Sequence, residues 1–128
     1  MNKDHSVLIV EDEIVLQDVY KLVLGLQGLK VYTANNGLEG LKKLKQHKPD
    51  VILLDIFMPV MDGIEFLQTV DLKAYPGVKI IVYTNLSDSN VQAQMLALGA
   101  HKFVLKSTMN PQDLISMVRE CLPDSKNG

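Results

Sequence analysis

Short apolar runs alternate with longer stretches of helical period along the chain. Val7-Leu8-Ile9-Val10 is a continuous apolar run, and Glu11-Asp12-Glu13 follows at once, three acids opening a helical pattern. That pattern carries Val15, Leu16, Val19, Leu22, Val23 and Leu26 at three- and four-residue spacings, and Gly28 is placed to end it. A second strand is expected over Leu29 to Ala34. Asn36 and Glu39 then stand at capping-box spacing ahead of Leu38, Leu41 and Leu44, in a helix closing near His47. Val51-Ile52-Leu53-Leu54 predicts a strand buried on both faces, and Asp55 stands where the apolar run stops. Pro59 and Asp62-Gly63 force a turn, after which Gly63 to about Leu72 predicts a third helix with Ile64, Phe66 and Leu67 inward.

Beyond Tyr75-Pro76-Gly77, Val78 to Tyr83 predicts a fourth strand, with Thr84 at its end. Ser87-Asp88-Ser89-Asn90 offers caps for a fourth helix with an inward stripe of Val91, Met95 and Leu98, stopped by Gly99. His101 to Leu105 gives a fifth strand ending at Lys106. Asn110-Pro111 then opens a last helix with Leu114, Met117, Val118 and Cys121 inward. Strands alternating with helices across short linkers predict an α/β fold, a doubly wound five-stranded parallel sheet of flavodoxin-like form. Right-handed crossovers favour the order 2-1-3-4-5, which puts the ends of strands one and three side by side.

Composition changes little in this picture. The 128 residues suit one domain, expected over 1–123, with a disordered tail over 124–128. A net charge of −2 argues against direct contact with nucleic acid, and the single Cys121 has no partner for an internal disulfide. No apolar run approaches the ~20 residues of a membrane span, so a cytoplasmic protein is expected.

Chemistry concentrates at the carboxyl ends of the predicted strands, where open parallel sheets place their working groups. Taken singly, each residue there has a plainer reading: a turn aspartate, an acid pair complementing a helix dipole, a β-forming threonine, a solvated lysine. As a set, Glu11, Asp12, Asp55, Thr84 and Lys106 fall at the ends of four different strands. Three neighbouring carboxylates repel one another unless a cation intervenes, and Mg²⁺ is the simplest occupant. Asp55 could then attack phosphorus and hold an acyl phosphate, with Thr84 and Lys106 as donors to the phosphoryl oxygens.

These residues, with Met58-Pro59, Asp62-Gly63, Gly99-Ala100 and Phe103-Val104-Leu105-Lys106, resemble in order and spacing the receiver domain of bacterial two-component response regulators, from about Ser6 to Leu122. The resemblance implies that Asp55 is the phosphoacceptor and that Asp12, Asp55 and the main-chain carbonyl of Phe57 ligate Mg²⁺, with Glu11 acting through a metal-bound water. It implies that Thr84 and Lys106 bind the phosphoryl oxygens and that Phe103 changes rotamer with Thr84. It further implies a histidine kinase or phosphotransfer protein as donor and no turnover of a free substrate. The surface of the fourth helix, fifth strand and fifth helix would be read by a downstream output protein or domain, and a homodimer is compatible with it.

Four positions depart from the family pattern. Ser107 stands where receivers usually have proline after a cis bond, and a cis bond at a non-proline residue costs ~2.5–4 kcal/mol, so a trans Lys106-Ser107 peptide with a shifted lysine is expected. Phe57 and Leu86 are apolar at positions flanking the route of hydrolytic water, which implies a long-lived phosphorylated state. Asn85 is larger than the small residue usual after the threonine, and would narrow donor access or hydrogen-bond the phosphoryl group.

Other functions fit the pattern less well. A nucleotide or flavin module wants glycine in the first turn, where Glu11-Asp12-Glu13 places negative charge. A phosphatase with an aspartyl nucleophile would carry a second acid where Phe57 stands. The alternative that remains is a receiver-like interaction module working without phosphorylation.

Overall fold

The computed structural model describes residues 5–85 and 88–123. The expected tail over 124–128, the leading Met1 to Asp4, the Leu86 side chain and the candidate cap Ser87 lie outside these residues. Strands β1 (Ser6–Val10), β2 (Lys30–Ala34), β3 (Val51–Asp55), β4 (Lys79–Thr84) and β5 (Lys102–Leu105) alternate with helices α1 (Ile14–Gly25), α2 (Gly37–His47), α3 (Gly63–Thr69), α4 (Ser89–Ala97) and α5 (Pro111–Cys121). All strand pairs are parallel, in the order β2-β1-β3-β4-β5. The fold is the doubly wound α/β sheet that the alternation predicted.

Strand alternation divides the core in two. Leu8, Val10, Ile52, Leu54, Ile80 and Val82 face one way, against Leu44 of α2, Phe66 of α3 and Met95 of α4. Val7, Ile9, Val51, Leu53, Ile81 and Tyr83 face the other way, against α1 and α5. Both faces of the central strands are covered, which explains why they spell unbroken apolar runs.

Caps and breakers set the helix limits. The Asn36 side chain accepts from the Glu39 N–H, although the Glu39 carboxylate bonds the Asn35 N–H and so leaves the capping box incomplete. Asp88 is the cap chosen from the four candidates ahead of α4. Asn110 and Asp113 form a full capping box with Pro111 at the first helical position. The third helix is shorter than expected: α3 stops at Thr69, Val70 turns extended, and Leu72–Ala74 form a separate 3-10 turn. Asp71 explains the break, because its side chain takes the Lys73 N–H and offers the backbone a local alternative to the helix.

The buried face of α1 departs most from the periodicity. Val15, Val19, Leu22 and Leu26 are solvent-exposed, whereas Gln17, Tyr20 and Leu24 are buried. Gln17 supplies the reason. Its side-chain amide donates to the carbonyls of Glu11 at 2.9 Å and Ala34 at 3.3 Å and to Asn35 Oδ1 at 3.0 Å, tying the turns after β1 and β2 together. An inward amide with three acceptors turns the helix so that part of its apolar stripe faces water.

Gly63 allows the end of β3 and the start of α3 to meet. Its N–H donates to the Ile56 carbonyl at 2.8 Å, and a Cβ at this position would collide with the Asp55 carbonyl oxygen and lie 2.9 Å from Ile56 Cα. Both are backbone atoms that cannot swing aside. Gly63→Ala is therefore expected to destabilise the protein by about 1–3 kcal/mol, the usual range for overpacking, seen as a lower urea midpoint at unchanged slope.

Candidate functional site

The sheet register levels the strand ends that carry the chemistry. Val10 pairs with Leu54, Asp55 with Tyr83, and Thr84 with Leu105. The residues just beyond β1 and β5 are Glu11 and Lys106, so four strands deliver polar groups to one edge.

Glu11 is fully buried and held from several directions. Its N–H donates to the Ala34 carbonyl at 3.0 Å. Its Oε2 accepts from the Glu13 N–H at 3.0 Å, and its Oε1 accepts from the Tyr83 hydroxyl at 2.9 Å. Asp55 is 4% exposed, and its Oδ1 accepts from the Ile56 N–H at 2.8 Å. Lys106 joins the acids: Nζ lies 3.0 Å from Glu11 Oε1, 3.2 Å from Asp55 Oδ2 and 3.4 Å from Glu13 Oε1. Carboxylate oxygens of Glu11, Asp12 and Asp55 all lie within 4.8 Å of one another, with Asp12 half-buried beside its two buried neighbours.

Lys106 reaches the site despite the serine that follows it. Among the described residues no peptide bond is cis, so Lys106-Ser107 is trans as expected. The lysine still enters the acidic cluster. Residues Lys106–Thr108 form a 3-10 turn, closed by the Thr108 hydroxyl donating to the Leu105 carbonyl at 3.0 Å, and the ammonium still meets Glu11 and Asp55.

Thr84 is fully buried at the end of β4. Phe103 is half-buried and packs on the core face that contains Phe66 and Met95. The Phe57 side chain is 61% exposed and takes no part in either core. Asn85 is exposed and, with Glu13, Tyr20, Lys106, Ser107 and Pro111, lines a groove of about 380 Å³ between α1 and the start of α5.

Tyr83 and Glu13 were not singled out from the sequence as site residues. Tyr83 reads there as one more strand residue, yet its neighbours Ile80, Ile81 and Val82 are aliphatic. A buried tyrosine hydroxyl needs a partner, and that was the available signal. The contact between Glu13 and Lys106 spans 93 residues and left no trace in local pattern.

Burial, and then the nearby Glu11 charge, raise the Asp55 carboxyl from 3.8 to about 6, although Lys106 and the Ile56 N–H oppose the shift. Burial alone would lower the Lys106 ammonium, but Glu11 and Asp55 outweigh it and hold the lysine above its usual value. Burial and the facing Glu11 push the Tyr83 hydroxyl well above the ordinary range, so it remains a donor. One ammonium thus faces Glu11, Asp55 and Glu13, with Asp12 alongside. Clustered hard oxygen donors carrying excess negative charge fit Mg²⁺.

Residues 7–119 match the family model of the response regulator receiver domain. The chain is 38% identical over 106 residues to the probable C4-dicarboxylate response regulator DctR of Bacillus subtilis (strain 168), covering 81% of this chain and 46% of the relative. It is 34% identical over 117 residues to a transcriptional regulatory protein CpxR homolog of Haemophilus influenzae, covering 91% and 50%. The chain therefore spans about half the length of these curated relatives. Among solved structures, a CheY-like response regulator receiver domain protein from Methanospirillum hungatei JF-1 superposes with a TM-score of 0.84 at 32% identity, covering 91% of each chain. The CheX-CheY-BeF3-Mg²⁺ complex from Borrelia burgdorferi superposes with a TM-score of 0.82 at 27% identity, covering 91% of this chain and 87% of that one. On sequence and fold together, the chain belongs to the response regulator receiver domain family of two-component signalling systems.

Proposed function

We propose that residues 1–123 act as one phosphoacceptor switch, in which Asp55 takes a phosphoryl group from a histidine kinase or phosphotransfer protein with the help of Mg²⁺. The observation that carries this reading is the convergence of Glu11, Asp12 and Asp55 within 4.8 Å, with Lys106 bridging two of them. Asp12, Asp55 and the Phe57 carbonyl would hold the ion directly, and Glu11 through a water. When bound, Mg²⁺ neutralises charge on the transferring oxygens and lets an anionic donor approach.

The chain's own residues account for the remaining steps. Asp55 Oδ1 is occupied by the Ile56 N–H, which leaves Oδ2, the oxygen facing Lys106, as the nucleophile. Its lone pair forms the new bond to phosphorus as the phosphorus–nitrogen bond of a phosphohistidine breaks. The electron pair leaves on the imidazole, which takes up a proton. Lys106 exchanges a carboxylate for a phosphoryl oxygen, and the Thr84 hydroxyl donates to another. Movement of Thr84 would free space for Phe103 to turn inward, altering the surface of α4, β5 and α5 that an output protein or domain reads. The module signals and does not turn over a free substrate.

The expected test result is a Mg²⁺-dependent phosphate adduct by intact mass after incubation with a small acyl-phosphate donor, absent in Asp55→Asn. No adduct with any donor, kinases included, would favour an interaction module independent of phosphorylation.

The exposed Phe57 ring has no group to orient a hydrolytic water, so the acyl phosphate should be long-lived. Phe57→Asn is expected to shorten its lifetime several-fold when phosphate release is followed. An unchanged and fast release in both proteins would count against that role.

Stability should report the strain of the buried charge. The Asp55 carboxyl ionises at about 6 in the folded protein against 3.8 otherwise, so the folded state holds its proton more tightly. Stability attributable to this group is full below about pH 4 and declines as pH rises through 6. In metal-free buffer Asp55→Asn is expected to exceed the parent in stability at neutral pH, by up to about 3 kcal/mol for a shift of this size, and to lose that advantage below about pH 4. Urea denaturation across pH measures both limits.

A further inference from the structure

We infer that Tyr83 is a positioning residue of this site, whose buried hydroxyl holds the Glu11 carboxylate in place for the metal whether or not Lys106 is engaged with it. The inference rests on the phosphoacceptor reading, because it concerns how that site keeps its shape while Lys106 changes partner.

Glu11 Oε1 receives two donors, the Tyr83 hydroxyl at 2.9 Å and Lys106 Nζ at 3.0 Å. Its Oε2 is held by the Glu13 N–H. Lys106 is the mobile donor of the pair, since the same ammonium also meets Asp55 and Glu13 and must turn toward a phosphoryl group. Without another partner, the fully buried Oε1 would then be left short of a hydrogen bond, and leaving a buried charged acceptor unsatisfied is costly.

Tyr83 has no such freedom. It is fully buried in the core face shared with α1 and α5, and Tyr20 packs edge-on against its ring with centroids 5.5 Å apart. Strand alternation fixes its direction: Tyr83 lies on the same face as Val7 and Ile9, the face on which Glu11 continues β1. The Lys106 ammonium lies 5.1 Å from the ring centroid, within the range of a cation–π contact. One aromatic side chain thus donates to the acid and provides a seat for the base. It acts through both and touches neither phosphorus nor the nucleophile.

Tyr83→Phe removes one oxygen and keeps the ring. Binding of Mg²⁺ alone to the unphosphorylated full chain, measured by calorimetry, is expected to weaken by about tenfold, the lower end for losing an outer-shell partner, because Glu11 Oε1 then keeps only Lys106, a donor shared with Asp55 and Glu13, and the water-bridging carboxylate loses its fixed orientation. Tyr20→Phe should bind as the parent does. The loss should vanish in a Glu11→Gln background, because Tyr83 would then have no carboxylate left to orient. An unchanged Kd in folded Tyr83→Phe overturns the inference, and so does a full tenfold loss that persists alongside Glu11→Gln. A parent chain that binds no Mg²⁺ overturns the phosphoacceptor reading itself. Ring-labelled tyrosine in the otherwise unaltered chain gives a test that does not depend on Tyr83→Phe folding. The Tyr83 resonance should shift on adding Mg²⁺ and also on Glu11→Gln, and a resonance that responds to neither overturns the proposal.

Discussion

The ammonium of Lys106 lies among buried acids that would otherwise repel one another, 3.0 Å from Glu11 and 3.2 Å from Asp55 at the carboxyl edge of the sheet. Two desolvated carboxylates with a third beside them are expensive in an apolar core, and one cation offsets only part of that expense. The residual strain appears in Asp55, whose carboxyl is raised to about 6. A fold would not assemble such a cluster for stability alone, because apolar residues of similar size would serve better. The proposed function gives the cluster its purpose: a site prepared for added positive charge and then for a phosphoryl group.

The surrounding structure keeps this arrangement in register. Parallel pairing levels the ends of β1, β3, β4 and β5, so residues from distant parts of the chain arrive at one height. The Ile56 N–H occupies one oxygen of Asp55 and leaves the other to Lys106. Gly63 brings the first turn of α3 against the Asp55 carbonyl at a distance no side chain would allow. Gln17 joins the turns that follow β1 and β2. Together these contacts fix the Asp55 carboxylate and the turns that carry the site residues around Lys106.

Sheet order, the sequence of elements and the set of strand-end residues were all legible in the sequence, because they depend on short continuous apolar runs, period-3.6 patterns, the short linkers between them and the handedness of the crossovers. The grouping of Glu11, Asp12 and Asp55 followed from strand order, which put Lys106 only on the same edge. Contacts made by polar side chains within the fold were not legible. The end of α3 depended on Asp71 capturing a nearby N–H, which competes with helix on nearly equal terms. The backbone around Lys106 forms a 3-10 turn closed by Thr108, a local feature that the pattern around Ser107 did not announce. Tyr83 was read as an apolar strand residue because its hydroxyl partner, Glu11, lies 72 residues away in sequence.

The orientation of α1 shows how the site also shapes the surface. Apolar spacing alone would bury Val15, Val19, Leu22 and Leu26, yet these remain exposed. The inward positions go to Gln17, which satisfies three acceptors at the ends of β1 and β2, and to Tyr20, which packs on the Tyr83 ring beneath Lys106. Either side chain could be replaced by leucine without spoiling a generic α/β core, but the turn bearing Glu11 would lose its brace and the Tyr83 ring its edge contact. Burying them rotates the helix and leaves an apolar stripe in water directly after the acidic turn that enters the site. The polar demands of the charged cluster, acting through Gln17 and Tyr20, thus bear on which face of that helix is left exposed.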